Sequence, residues 1–244
     1  MRWIYLSPHL DDAVLSAGGL IYDQTQAGDS VEIWTFMCGY PPEGEFSPIA
    51  DQLHQQWGFS SAEEAVRKRR LEDKNAAAIL GATTRHFDFL DCVYRQGSNG
   101  EWLYSKITVP PHKEDEKLPA QIAEAISARL HPDDVLVCQL AVGSHVDHVL
   151  VRRAAELLGK SLRYDIDVPY IFYKPQELKP ASAGMMDLVY SVSKAGVEFW
   201  KEAVLEYKSQ ISTLGKVFDT PEKVRESIQN YWSDHQGIRL FEKG

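Results

Sequence analysis

Two hydrophobic periods run through the chain. Trp3-Ile4-Tyr5-Leu6 and Val135-Leu136-Val137-Cys138-Gln139-Leu140 are nearly continuous apolar runs. Such runs suit strands buried on both faces of a parallel sheet. Val31-Glu32-Ile33-Trp34-Thr35-Phe36 alternates in part and predicts another strand. A helix-length segment, 13–26, lies between the strands at 3–6 and 31–36. Val14, Gly18 and Ile21 share one of its faces, and Gly28 is placed to end it. Together these make a βαβ unit.

The same reading extends along the chain. Ser61-Ala62-Glu63-Glu64 has the residue types of a capping box and opens a helix to about Leu80, closed by Gly81. Residues 85–90 read as a short third strand. Residues 118–130 and 147–159 read as helices, 168–173 and 188–192 as strands. Residues 196–214 and 221–235 read as late helices, and 239–241 as a last short strand. Two stretches, 40–60 and 96–111, read as loops. The first carries Phe46 and Trp57, as a lid or binding rim would. No repeat or linker interrupts the pattern. The expectation is a single α/β domain over 1–244, Rossmann-like, with a mostly parallel sheet and helices on both faces. Its site belongs at the carboxyl ends of the strands.

Composition narrows the function. The chain has 244 residues, 44% of them hydrophobic, and a net charge of -9. That balance argues against nonspecific binding to nucleic acid or anionic membranes. No apolar run approaches the roughly 20 residues of a membrane span. The apolar start at 3–6 is too short for a signal peptide and runs into the candidate site. Cys38, Cys92 and Cys138 have no zinc-ribbon or redox spacing. Free buried thiols in a reducing cytoplasm are expected.

The candidate chemistry lies in two clusters. His9-Leu10-Asp11-Asp12 follows the first predicted strand, and His145-Val146-Asp147-His148 follows the strand at 135–140. Imidazoles and carboxylates buried at strand ends are costly unless something uses them, and a divalent metal is the simplest user. A catalytic zinc site keeps about three protein ligands and a position for water. The candidates are His9, Asp11, Asp12, His145, Asp147 and His148. Adjacent residues leaving a strand point in different directions, so one of Asp11 and Asp12 can bind metal while the other faces water. The two histidines around the helix start can divide ligation and polarisation in the same way. That is the inventory of metal-assisted hydrolysis. Asp12 or Asp147 could instead be simple helix caps. His131-Pro132-Asp133-Asp134 also looks like a metal motif, but it precedes its strand. It is expected at the opposite edge of the sheet, as a structural turn.

In this order and at these strand ends, the two clusters resemble the PIG-L/LmbE-like family of zinc-dependent N-acetylglucosamine deacetylases. That family carries His-Pro-Asp-Asp-Glu after its first strand and His-x-Asp-His later. Here Leu10 replaces the proline and Ala13 the glutamate, while 145–148 is intact. Arg69-Arg70-Leu71-Glu72 with 76–81, and Tyr207-Lys208-Ser209-Gln210, match further family stretches.

The resemblance implies His9, Asp12 and His148 as ligands of Zn2+, a set that Fe2+ or another divalent metal would also accept. It implies Asp11 as the general base acting on water at the metal. His145 becomes the imidazole beside the developing oxyanion and the acid for the leaving amine. Asp147 becomes the residue that orients and charges a histidine. Arg69 and Asp91 are implied at the substrate's sugar hydroxyls. Loss of the glutamate at Ala13 removes a support of the metal site but no ligand. The function implied is hydrolysis of an acetyl or similar small acyl group from an N-acylated amino sugar or glycoconjugate. The alternatives are a catalytically silent sugar-binding protein on the same scaffold and a metal-dependent esterase.

Overall fold

β1 (Arg2–Ser7) is apolar because it has neighbours on both edges and helices over both faces. Ile4 is fully buried and Tyr5 and Leu6 nearly so. The structure, a computed structural model, describes residues 1–243. The elements after β1 are α1 (Asp12–Gln26), β2 (Ser30–Thr35), α2 (Pro48–Trp57), α3 (Ala62–Ile79), β3 (Thr83–His86), α4 (Leu118–Ser127) and β4 (Val135–Gln139). There follow α5 (Val146–Leu157), β5 (Leu162–Asp165), the single turns α6 (Tyr170–Tyr173) and α7 (Leu178–Ala181), β6 (Met185–Ser191), α8 (Lys194–Val204), α9 (Pro221–His235) and β7 (Gly237–Lys243).

All seven strands form one sheet in the order β3-β2-β1-β4-β5-β7-β6. β1 pairs in parallel with both β2 and β4, and β3 and β5 extend the parallel part on either side. β7 runs antiparallel to β5 and β6. The chain leaves β1 toward β2 and leaves β4 toward β5, in opposite directions. Strand order therefore reverses between β1 and β4, which opens a crevice at their carboxyl ends. The α/β class and the mostly parallel sheet are as expected. The side-chain-free surface of Gly18 lets α8 lie directly on α1. A Cβ there would fall 2.4 Å from Trp200 Cδ1.

Four expectations need correction. The stretch 40–60 contains α2. Pro48 occupies its first turn, where the missing N–H costs nothing, and Ser47 Oγ accepts the Ala50 N–H. The third strand ends at His86, so Phe87-Asp88-Phe89-Leu90 lies beyond it, with Phe87, Phe89 and Leu90 packed on the core. Residues 168–173 form no strand. The strand is β5, which starts six residues earlier, and its polar Arg163 and Asp165 hid it. The helix predicted over 196–214 starts at Lys194 and stops at Val204. A turn then leads to a 3-10 turn at Ile211–Thr213. The three cysteines are buried and unpaired. Among the described residues, no helix is long and apolar enough to cross a membrane.

Candidate metal centre and active site

The crevice between β1 and β4 receives both clusters. His9 and Asp11 lie in the turn after β1, and Asp12 is the first residue of α1. His145 caps α5, with Asp147 and His148 in its first turn. All six are buried. His9, His145 and His148 each bring a ring nitrogen within 4.8 Å of the others.

One oxygen organises the centre. Asp12 Oδ2 accepts the His9 N–H at 2.8 Å and lies 3.1 Å from His9 Nδ1 and 3.3 Å from His148 Nε2. His9 Nε2 faces Asp147 Oδ2 at 3.1 Å. A carboxylate can only accept, so with a cation at Asp12 the His9 proton belongs on Nε2 and its lone pair on Nδ1. His148 Nδ1 faces Asp167 Oδ1 at 2.9 Å by the same logic. His148 Nε2 is buried and has no hydrogen-bond partner. Both imidazoles therefore turn a nitrogen toward one carboxylate oxygen, and a cation placed there would take both lone pairs. The separations of 3.1 and 3.3 Å are near the edge of a tetrahedron around an ion with ligand bonds of about 2.0–2.1 Å. The residues fit a divalent metal, and the two-nitrogen, one-oxygen set suits zinc or iron.

The electrostatics express the same demand. Burial opposes charge on Asp12, yet His148 and His9 hold its carboxyl well below the usual range. Burial also opposes charge on the imidazoles. Even so, Asp12 and Asp147 raise His9 well above its ordinary value, and Asp12 and Asp167 push His148 up to about 9. These nitrogens hold protons until a metal replaces them.

Asp11 has a different environment. Burial, and then the charge of Asp12, push its carboxyl up to about 6. Arg69 acts the other way, with Nη2 at 3.6 Å from Asp11 Oδ2. His145 is pushed well below its ordinary value by burial and by the neighbouring His9 and His148. It is neutral, and Nδ1 accepts the Asp147 N–H at 3.2 Å. Its proton therefore sits on Nε2, as a donor. Asp147 hydrogen-bonds His145 through this backbone N–H. Its side chain serves His9, takes the Cys92 N–H at 2.9 Å and forms an ion pair with Arg95 at 2.7 Å.

His9, Asp11, Asp12 and His145 line a cavity of about 310 Å³ together with Arg69 and Asp91. The Arg69 guanidinium stacks over the Trp57 ring at 4.7 Å. Asp91 Oδ1 accepts the Val93 N–H, and its Oδ2 lies 3.7 Å from His9 Nε2. Gln210 reaches the cavity from the late stretch at 207–210. Ser209 holds that stretch to α3 by two hydrogen bonds to Glu72, at 2.9 and 2.6 Å. The other cluster, His131-Pro132-Asp133-Asp134, lies at the amino end of β4. Asp134 there pairs with Arg2 at 2.8 Å, at the start of β1.

Sequence reading missed Asp167, Arg95 and the cavity wall from α6, while the rim expected at 40–60 is formed by α2 through Leu53, Gln56 and Trp57. The Asp165-Ile166-Asp167-Val168 stretch, with carboxylates set among apolar residues, was the available signal for Asp167. Arg95 carried none.

Comparison with known proteins agrees with this geometry. Residues 4–158 match the family model PIG-L, GlcNAc-PI de-N-acetylase. The chain is 25% identical to 2′-N-acetylparomamine deacetylase of Niallia circulans over 268 residues, covering 98% of this chain and 94% of the relative. Its fold matches the zinc-inhibited form of a teicoplanin deacetylase with a TM-score of 0.83 and 28% identity, covering 99% of this chain and 97% of the other. A pseudoaglycone deacetylase matches with a TM-score of 0.79 and 30% identity, over 99% and 96% of the two chains. With the family model spanning more than half of its length, and both histidine clusters inside or at the edge of one crevice, this chain belongs to the PIG-L family of de-N-acetylases.

Proposed function

We propose that this protein removes an acetyl or similar small acyl group from an N-acylated amino sugar of a glycoconjugate. His9, Asp12 and His148 would hold the divalent metal, zinc or iron. One observation carries the reading: a nitrogen of His9 and one of His148 converge on one Asp12 oxygen, beside a cavity that Asp11 lines with Arg69. The named relatives act on paromamine and teicoplanin derivatives, which favours an amino sugar within a larger conjugate.

When bound, such an ion supplies Lewis-acid polarisation of the amide and a lowered pKa for water beside it. The protein's own groups do the rest. Asp11 takes the proton from the attacking water. His145 donates from Nε2 to the oxyanion as charge develops. The proton held by Asp11 is then available to the leaving amine, so that acetate and the free amine result. Asp147 keeps His9 oriented with Nδ1 toward the ligand position. Arg69 and Asp91 line the cavity as donor and acceptor for sugar hydroxyls. The presence of Asp11 favours catalysis over silent sugar binding. Three unpaired buried thiols suit a cytoplasmic protein.

The test is release of acetate from a panel of N-acetylated amino sugars, aminoglycosides and glycopeptides by protein loaded with one equivalent of metal. Excess zinc is avoided, since a relative exists in a zinc-inhibited form. Acetate release that chelation abolishes and metal restores supports the reading. Release of acid from O-acyl but not N-acyl sugars would turn it toward an esterase.

A further inference from the structure

Asp167 lies outside both histidine clusters, in the turn that follows β5, and it is fully buried. Oδ1 meets His148 Nδ1 at 2.9 Å, and Oδ2 accepts the Val142 N–H at 3.0 Å. Among the described residues its only ion-pair partner is His148. Asp147, the matching carboxylate behind His9, is paired instead with Arg95 at 2.7 Å.

We propose that Asp167 is a positioning residue that selects the nitrogen through which His148 binds the metal and strengthens that nitrogen as a ligand. This rests on the metal-dependent reading above. A neutral imidazole carries one proton, and a carboxylate partner can only accept it. With a metal bound, the His148 proton would therefore stay on Nδ1 and leave the Nε2 lone pair for the ion, on the side of Asp12 Oδ2, which lies 3.3 Å from Nε2. The two ligand imidazoles thus present opposite nitrogens, each set by its own buried carboxylate. The Val142 N–H anchors Asp167 to the β4–α5 turn, so the acceptor cannot swing away. A buried carboxylate with no Arg or Lys beside it is a burden on folding, and a cation at His148 is what offsets it. That asymmetry makes Asp167 a stronger acceptor than Asp147, whose charge Arg95 already shares. Acceptors of this kind raise the basicity of a metal-bound imidazole.

Asp167→Asn tests the assignment, with Co2+ as the probe. The amide would turn its N–H toward His148 Nδ1, and the ring proton would move to Nε2, aimed at Asp12. Co2+ affinity of the apoprotein should then fall roughly 10–100-fold. The rise in thermal midpoint on adding Co2+ should shrink in step with the affinity. Asp167→Glu keeps a carboxylate but displaces it, and should show a smaller loss of affinity. It carries the comparison alone if the Asn variant does not fold. A lower apoprotein midpoint with unchanged Co2+ affinity would mean a purely structural role and would overturn the proposal. If wild-type protein bound no Co2+, the metal-dependent reading itself would fall. If wild type and both variants bound it equally, only the role of Asp167 would.

Discussion

The backbone N–H of Asp147 donates to Nδ1 of His145 at 3.2 Å, so the neutral imidazole keeps its proton on Nε2. Sequence resemblance implied a protonated His145 acting as an acid. The buried neighbours His9 and His148 oppose that charge and favour an uncharged donor. His145→Ala should therefore retain metal and lower kcat by roughly 10²–10³-fold, the loss typical of one oxyanion donor. The shape of the pH profile should not change. Measuring kcat against pH for both proteins checks this, and loss of an alkaline limb in the variant would restore the imidazolium acid.

Asp11 and Asp12 are adjacent in sequence and separate in task. Asp12 faces two imidazole nitrogens, whereas Asp11 faces Arg69 and the cavity. Asp11→Asn should keep full metal content and lose roughly 10²–10⁴-fold in kcat. Asp12→Asn should lose metal. Metal content by elemental analysis, set beside turnover, separates the two, and the opposite pattern would exchange their roles.

Asp11 must be ionised to take a proton. Its carboxyl stands at about 6 without metal, and a bound cation acts in the lowering direction. Activity should therefore be lost as pH falls, with the acidic limb at or below about pH 6. Arg69 lowers the Asp11 carboxyl, so Arg69→Met should move this limb to higher pH, besides raising KM. A limb that stays in place in the variant would show that Arg69 does not share the field of Asp11.

Arg95 holds two buried carboxylates, Asp147 at 2.7 Å and Asp115 at 3.0 Å. Arg95→Met would leave both uncompensated. A loss of about 3–5 kcal/mol in denaturant unfolding is expected at neutral pH. Burial raises the Asp147 carboxyl, but Arg95 and His9 hold it well below the carboxylate range. A depressed carboxyl contributes stability that is complete above its unfolded value of about 3.9 and fades as pH falls below it. The gap between wild type and variant should therefore narrow in acid. An equal gap at pH 3 and pH 7 would assign the loss to packing against Tyr104 rather than to charge.

Local pattern determined a good part of this protein. The apolar runs at 3–6 and 135–140 read as interior strands, and helix periodicity with a cap at Ser61 and a first-turn proline at Pro221 located α3 and α9. Because each run ends in a histidine–carboxylate cluster, the sequence also located the crevice and excluded His131-Pro132-Asp133-Asp134. These features are legible because they repeat within a few residues. β5 was not, since Leu162-Arg163-Tyr164-Asp165 becomes a strand only by pairing with β4. α2 was hidden because Pro48 reads as a breaker until its first-turn position is known. The tertiary structure alone decided which nitrogen of each imidazole faces Asp12. That choice belongs to Asp147 and Asp167, which meet His9 and His148 across 138 and 19 residues of chain. A hydrogen bond of about 3 Å depends on distance in space. Residue spacing along the chain carries no record of it.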